Sequence, residues 1–151
     1  MPRRVQVAQL LRARLSEVEA LWYDPQRWAS FVDGFGHVAR LSDDWPAAGA
    51  TLSWDSLPGG RGRVVEHVEA YTPGEGQTSL VEDETLSGRQ QVSFAVDEPE
   101  SVVVRLALEY ELKQSGPLRA VVDLLFIRRA LADSLGRTLA RLAIELESDR
   151  G

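Results

Sequence analysis

The chain contains no cysteine and only two histidines, and both shortages narrow the chemistry available to it. Without cysteine it forms no disulfide and offers no thiolate, so we expect a cytoplasmic protein. The two histidines, His37 and His67, do not have the His-Glu-x-x-His spacing of a zinc site. No serine lies in a Gly-x-Ser-x-Gly motif, which argues against nucleophilic catalysis. The sequence therefore predicts neither a metal nor a cofactor.

Long apolar runs and excess positive charge are also missing. The apolar run at 120–127 contains Asp123 and is far shorter than the roughly 20 residues that a membrane-spanning helix needs. Arg12 and Arg14 interrupt the apolar stretch near the start, so we expect no signal peptide. With 17 Lys and Arg against 23 Asp and Glu, the formal net charge is −6. We therefore expect no integral membrane segment and no nucleic-acid partner.

From residue 37 onward, apolar and polar residues alternate with the period of two that is typical of half-buried strands. The last strand shows this best, because every second residue from Val102 to Leu112 is apolar or aromatic. The connectors are short and rich in Gly and Pro, which favours hairpins and an antiparallel sheet. The predicted strands are one around Val5 and Val7, and then 37–43, 50–56, 62–71, 77–85, 89–96 and 101–113.

Helices are predicted on either side of this run of strands. Ser16 and Glu19 have the spacing of a capping box, so a short helix is expected from there to about Trp22. Asp24 and Pro25 then predict the start of a second short helix. Residues 117–148 read as one long C-terminal helix. The order predicts a single α+β domain over residues 1–151, with a curved antiparallel sheet of about seven strands wrapped around the long helix.

The first half of the long helix is unusually apolar. The segment 120–127 is apolar on nearly all sides, whereas an ordinary amphipathic helix has one apolar stripe. Such a stripe follows at Leu131, Leu135, Leu139, Leu142 and Leu146. The sheet can cover one side of the first half. We expect the other side to be covered by a bound apolar ligand, a mobile lid or a partner chain.

The order of elements and several segments resemble the START-like, or Bet v 1-like (SRPBCC), superfamily, and within it the polyketide cyclase/dehydrase and lipid-transport group. The segments that carry the resemblance are Trp22–Trp28, Arg63–Glu66, Gly88–Phe94 and Phe126–Leu135. The resemblance implies the helix-grip fold, with a deep apolar cavity between the sheet and the C-terminal helix. It does not imply one activity, because members of the superfamily include both binding proteins and enzymes.

Aromatic and apolar side chains are the predicted ligand contacts, because they supply large contact area and, in Tyr and Trp, a polar group that can orient a ligand. They lie in segments that line or gate the expected cavity. The predicted ligand-binding residues are Trp28, Phe31, Phe35, Trp54, Phe94, Leu108, Tyr110, Val122 and Phe126.

Acid–base candidates are few. Glu82 and Glu84 share one face of a predicted strand and Asp83 takes the other. Two carboxylates buried together would raise the pKa of one of them and make a general acid or base. The catalytic candidates are His67, Glu82, Glu84 and Tyr110.

Three functions remain open at this point. The first is the binding of a small hydrophobic or aromatic molecule, such as a lipid, isoprenoid or polyketide-like compound, in the cavity. The second is a cyclase/dehydrase-type enzyme, which requires at least two catalytic candidates inside the cavity and fails if the carboxylates face water. The third is an interaction module or homodimer that covers Val121, Leu124 and Ile127.

Overall fold

The structure, a computed structural model, describes residues 3–113 and 116–150. Seven strands form one antiparallel sheet in the order β1-β7-β6-β5-β4-β3-β2. From β2 to β7, strands that are consecutive in the chain pair with each other. β1 pairs with β7 and forms the edge of the sheet opposite β2. The strands are β1 (Arg3–Leu11), β2 (Phe35–Leu41), β3 (Thr51–Ser56), β4 (Arg63–Thr72), β5 (Gly76–Glu82), β6 (Leu86–Glu98) and β7 (Ser101–Leu112).

Two short helices connect β1 to β2. Helix α1 covers Leu15–Trp22 and a 3₁₀ helix covers Pro25–Ser30. The Asp24 carboxylate accepts the Gln26 N–H at 3.1 Å, as the Asp-Pro pair predicts. The prediction of a Ser16–Glu19 capping box is wrong, because the helix begins at Leu15, one residue before Ser16.

Glu17, rather than Glu19, caps the start of α1. The carboxylate of Glu17, three residues after Arg14, accepts the Arg14 N–H at 3.0 Å. Glu19 instead accepts the Gly74 N–H at 2.8 Å and so ties α1 to the turn between β4 and β5.

The long C-terminal helix extends from Pro117 to Arg150 in three consecutive segments. Helix α2 covers Pro117–Val122, a π-helical segment covers Asp123–Ile127, and α3 covers Arg128–Arg150. Among the described residues, no helix combines the length and the apolar character needed to cross a bilayer.

The concave face of the sheet and the C-terminal helix enclose two apolar clusters. The larger one joins Leu11, Phe31 and Val104 to Leu139, Leu142 and Leu146 of α3. The smaller one, toward the start of the long helix, contains Val5, Leu86, Leu108 and Tyr110. Leu135 packs against both clusters. It also lines a cavity that lies where the two clusters meet. The predicted α+β architecture and the leucine stripe of the long helix are therefore confirmed.

Candidate functional site

The inner cavity, as we name the space between the concave face of the sheet and α3, has a volume of about 50 Å³. One ordered water needs about 10–15 Å³, so the inner cavity has room for a few water-sized groups. This volume, lined by described residues, is much smaller than that of the deep apolar cavity that the resemblance implies. Its lining is partly polar: Trp22, Trp28, Val32, Asp33, Trp54, Arg61, Val64, Glu66, Val81, Gln90, Leu106, Ser134, Leu135 and Thr138.

Glu66 places a carboxyl group inside the protein. It lies on β4 between Val64 and Val68, and the period of two turns all three side chains toward the inside. Its Oε2 accepts the indole N–H of Trp54 at 3.1 Å. Burial raises the pKa of Glu66, and the Trp54 hydrogen bond and the nearby Arg61 charge only partly oppose the rise. Glu66 is thus the most buried glutamate of the described residues, and it lies on the wall of the inner cavity.

Arg61 occupies one side of the inner cavity. Its guanidinium lies 5.8 Å from the centre of the Trp54 ring, in cation–π geometry. Its Nε donates to Asp83 Oδ2 at 2.7 Å, and Asp83 is buried. Asp83 also accepts the backbone N–H groups of Thr85 and Leu86, which makes the turn from β5 to β6. Arg61 therefore connects the β3–β4 loop to the β5–β6 turn at this side of the cavity.

Asp33 joins the segment after the 3₁₀ helix to α3. Its carboxylate accepts the Ser134 hydroxyl at 2.7 Å and hydrogen bonds from Arg137 and Arg141. The Arg137 hydrogen bond is the main reason why the pKa of Asp33 is lowered. The Asp33 N–H also donates to the Thr138 hydroxyl at 3.0 Å. We call Asp33, Ser134, Arg137, Thr138 and Arg141 the Asp33 cluster.

The predicted ligand-binding aromatics separate into wall, core and surface. Trp28 and Trp54 line the inner cavity. Phe35 packs between them, with ring centres 6.0 Å from Trp28 and 5.3 Å from Trp54. Phe31 and Phe94 are buried in the larger apolar cluster, where neither lines the inner cavity.

The remaining predicted contacts lie toward the start of the long helix. Leu108 and Tyr110 belong to the smaller apolar cluster, and Val122 is half-buried. The prediction for Phe126 is wrong: its side chain is 66% exposed and does not line the cavity. The π-helical segment turns Asp123 inward and Phe126 outward.

Tyr110 and Asp123 form a polar pair inside the smaller cluster. The Tyr110 hydroxyl donates to Asp123 Oδ1 at 2.7 Å, and both side chains are buried. Arg3 Nε lies 3.0 Å from Asp123 Oδ2, close enough for an ion pair, although the N–H does not point at that oxygen. Burial raises the pKa of Tyr110, and the bond to Asp123 adds to the rise. This pair anchors the long helix to β7 and β1.

The other three catalytic candidates lie outside the inner cavity. His67 is on the outer face of β4, opposite Thr51 of β3, and its Nδ1 lies 3.3 Å from the Thr51 hydroxyl. Glu82 is exposed and pairs with Lys113 at 2.6 Å. Glu84 is exposed in the β5–β6 turn. The enzyme hypothesis in its original form, with these carboxylates in the cavity, is therefore wrong.

The physical reason is which face of β5 points inward. The prediction extended the strand to residue 85, but it ends at Glu82. Asp83 continues the alternation of the buried side chains of Ser79 and Val81, and its carboxylate meets Arg61. Glu82 and Glu84 lie on the other face, which is exposed. The buried acid of this segment is thus the middle residue of Glu82-Asp83-Glu84, the one assigned to the opposite face.

A larger groove of about 460 Å³ lies on the outer face of the sheet, across β4 to β7. It is wide open to solvent, and most of its charged groups are already paired: Glu82 with Lys113, Arg89 with Glu69, and Glu109 with Arg4. The inner cavity is smaller but contains the buried Glu66 carboxyl, so we regard it as the candidate site. Within residues 3–113 and 116–150, no three His, Asp or Glu side chains come close enough together to hold a metal.

Sequence reasoning missed Glu66, Arg61 and Asp33, which give the cavity its polarity. A signal existed for Glu66, because its position between Val64 and Val68 puts it on their face of the strand. No local signal existed for Arg61 and Asp33. Both lie in loops, and their partners Asp83 and Ser134 are distant in sequence.

Solved structures with this fold cover nearly the whole chain. A START superfamily protein from Mycobacterium smegmatis is 15% identical with a TM-score of 0.73, over 96% of this chain and 97% of that one. A conserved protein from Geobacillus kaustophilus is 12% identical with a TM-score of 0.77, over 97% and 96%.

Norcoclaurine synthase from Thalictrum flavum, a point mutant in complex with a transition-state analogue, is 10% identical with a TM-score of 0.71, over 100% and 98%. At these identities the likeness shows the fold alone. Among curated proteins, none matches this chain. The family model described as polyketide cyclase / dehydrase and lipid transport matches residues 2–147, and the chain therefore belongs to this START-like family.

Proposed function

We propose that the protein binds a small molecule in the inner cavity, with an apolar or aromatic body and one hydrogen-bond donor. The observation that carries the proposal is the buried carboxyl of Glu66 on the cavity wall. A buried carboxyl is costly unless it has partners, and Trp54 supplies one donor among the described residues. A ligand hydroxyl or amine would supply a second. The tryptophans Trp22, Trp28 and Trp54 would contact the apolar body.

Binding of a molecule larger than a few water-sized groups requires the inner cavity to widen. The β3–β4 loop, Leu57–Gly62, is the segment we expect to move. It includes Gly59 and Gly62, both with positive φ, and it carries Arg61 into the cavity wall. Breaking the Arg61–Asp83 ion pair would let this loop swing outward while the sheet and α3 stay in place. Ligand binding is then coupled to one ion pair, between the half-buried Arg61 and the buried Asp83.

The test uses two probes of equal shape that differ in one donor, 2-naphthol and 2-methylnaphthalene, measured by isothermal titration calorimetry. We expect 2-naphthol to bind about tenfold more tightly or better, because a hydrogen bond to a charged group contributes about 1.5–3 kcal/mol. Glu66→Gln should reduce this preference, since the amide lacks the charge but still accepts from Trp54. Glu111→Gln, at an exposed position on β7, is the matched control and should leave the preference unchanged.

Native mass spectrometry of the purified protein completes the test. A co-purifying small molecule that dissociates on unfolding supports the proposal. Failure of both probes to bind, together with spectra that contain the bare chain alone, contradicts it.

A second candidate is acid–base chemistry of the cyclase/dehydrase type, with Glu66 in place of the candidates that face solvent. The observation that favours it is the buried Glu66 carboxyl on the cavity wall, where burial raises its pKa and so favours the protonated form that a general acid needs. If this candidate is right, wild-type protein converts the co-purifying molecule to a product of different mass or retention time. Glu66→Gln should then retain the molecule and lose the conversion.

A further inference from the structure

The π-helical segment reverses the usual arrangement of an amphipathic helix. Asp123 faces inward and is 1% exposed, while Leu125 is 57% and Phe126 is 66% exposed. A π-helical turn holds more residues than an α-helical turn, so it shifts the residues that follow around the helix axis. As a result, Asp123, Ile127 and Leu131 face the smaller apolar cluster together. The apolar residues between them are left on the solvent side.

These exposed side chains form one surface. Leu118, Val121 and Leu125 have the i, i+3, i+7 spacing of residues that share a helix face, and Phe126 adjoins Leu125. Four of the ten large apolar side chains that are exposed among the described residues lie within these nine positions. Single exposed apolar residues are ordinary, but a cluster of them marks an interaction surface. We call Leu118, Val121, Leu125 and Phe126 the helix patch.

The charged residues that follow the helix patch in the sequence are positive, although the protein as a whole is negative. Arg128 and Arg129 follow the patch and are exposed. Neither belongs to an ion pair among residues 3–113 and 116–150. The acid of this segment, Asp123, faces inward beside Arg3, and the next acid along the helix is Asp133. The patch therefore combines apolar side chains with basic ones, in a chain of net charge −6.

A second copy of the chain is a poor occupant of the helix patch. Four side chains expose a few hundred Å² at most, whereas a stable interface buries about 800 Å² on each partner. Binding to a bilayer surface needs less contact area. A few apolar side chains inserted among headgroups, with basic residues beside them, suffice for reversible binding.

We propose that the segment 117–129 docks the protein reversibly on anionic membrane surfaces. Leu118, Val121, Leu125 and Phe126 enter the headgroup region, and Arg128 and Arg129 contact lipid phosphates. The docked surface lies at the start of the long helix, beside the smaller apolar cluster. This inference does not depend on what the inner cavity binds.

The experiment is co-sedimentation with vesicles of phosphatidylcholine, with or without phosphatidylglycerol. We expect binding to the anionic vesicles and little to the neutral ones, weakening as salt is raised. Phe126→Ser should reduce the partition coefficient by about tenfold, because the aromatic ring no longer leaves water. Arg128→Gln and Arg129→Gln should each reduce it by about fivefold. All three positions are exposed, so circular dichroism spectra should match that of the wild type.

Two control variants remove the same chemistry elsewhere. Ile144→Ser removes an exposed apolar side chain near the far end of α3, and Arg105→Gln removes an exposed arginine on β7. Neither should change vesicle binding. Equal binding to neutral vesicles, no binding at all, or equal losses in the controls would overturn the proposal. So would a wild-type dimer that Phe126→Ser converts to a monomer, because the patch would then be a protein interface.

Discussion

Glu66 is the central residue of the proposed site, and its burial also lowers the stability of the folded protein when it ionises. Its carboxyl group is buried in a mainly apolar wall, where ionisation is disfavoured. In the unfolded chain the same group ionises at its ordinary value of 4.5. The difference between the two states makes folding depend on pH.

We therefore predict that the effect of Glu66→Gln on the free energy of unfolding is more favourable at pH 8 than at pH 5. Because the folded-state pKa is raised, the wild type loses stability as the pH rises above 4.5 and through the folded-state pKa. Glutamine keeps the shape and the acceptor for Trp54 but carries no charge. The variant's free energy of unfolding, relative to wild type, should thus increase between the two pH values in urea titrations.

Glu69→Gln, on the same strand, provides the opposite case. The Arg89 hydrogen bond lowers the pKa of Glu69, so any effect of this variant should grow less favourable as the pH rises. The pair is on the surface, and the effect should be small. A Glu66→Gln variant whose relative stability is the same at both pH values would mean that the Glu66 carboxyl is well solvated.

For single residues, the sequence predicts which residues share a strand face better than it predicts which of them form the site. The period of two correctly placed Val102 to Leu112 and would have placed Glu66. It also separated Glu82 and Glu84 from Asp83, as the structure does, but alternation alone does not say which of the two faces points inward. It also said nothing of Arg61, which reaches the cavity from a glycine-rich loop.

Among the elements, the contact between the 3₁₀ helix and α3 determines how the cavity is closed at one side. The 3₁₀ helix carries Trp28 into the cavity wall, and the Asp33 cluster attaches the residues after it to α3. Arg27 adds a second attachment through Glu145 and Asp149. Ionic contacts from two sides thus hold this short helix, which is too short to be stable alone.

We predict that Asp33→Asn lowers the free energy of unfolding at pH 7 by about 1–2 kcal/mol, the range for hydrogen bonds to a charged group with half-exposed partners. Because the folded-state pKa of Asp33 is lowered, its contribution is complete above 3.8 and is lost as the pH falls from there. The difference between wild type and variant should therefore shrink in acid. Urea titrations at pH 7 and pH 3 measure it.

Asp97→Asn, at an exposed position near the end of β6, is the matched control at pH 7 and should cost little. An Asp33→Asn variant as stable as this control would show that the three donors to Asp33 find equivalent partners in water.

The order and type of the elements could be predicted because each follows from a local pattern. The strands follow from alternation, the hairpins from Gly and Pro, and α3 from its leucine stripe. The π-helical segment could not be predicted in this way. It exists because Asp123 reaches Tyr110 and Arg3, and those contacts join residues that are far apart in sequence. The apolar first half of the helix is visible in the sequence, but the sequence leaves open whether a ligand, a lid or a partner chain covers it.

For the molecule as a whole, stability is distributed unevenly along the long helix. Thr138, Leu139, Leu142 and Leu146 of α3 are buried in the larger apolar cluster or beside the cavity. The segment 117–122 leaves Leu118 and Val121 in solvent. Local opening therefore costs less at the start of the helix than in its second half.

We predict that backbone amides in 117–127 exchange with deuterium at least about tenfold faster than those in 138–146, which corresponds to about 1.4 kcal/mol less opening free energy. Peptide-level hydrogen exchange with mass spectrometry measures both segments in one sample. Anionic vesicles should slow exchange in 117–127 and leave 138–146 unchanged. Equal exchange in the two halves without vesicles would contradict this uneven distribution.

The overall fold was predictable from the sequence, whereas the size of its interior was not. A bent sheet around a helix follows from the element order, but cavity volume depends on how side chains such as Trp28, Phe35 and Trp54 interlock. Packing of this kind is a property of the assembled chain rather than of any segment.

The position of β1 has a consequence for how the chain is made. It is the first strand to leave the ribosome, yet its neighbour in the sheet is β7, with Val5 opposite Leu108. Its inward side chain Leu11 shares a cluster with Leu146, near the other end of the chain. During synthesis β1 therefore stays unpaired until β7 has emerged, so a product that stalls before β7 leaves the sheet without its last pairing and exposes a free strand edge.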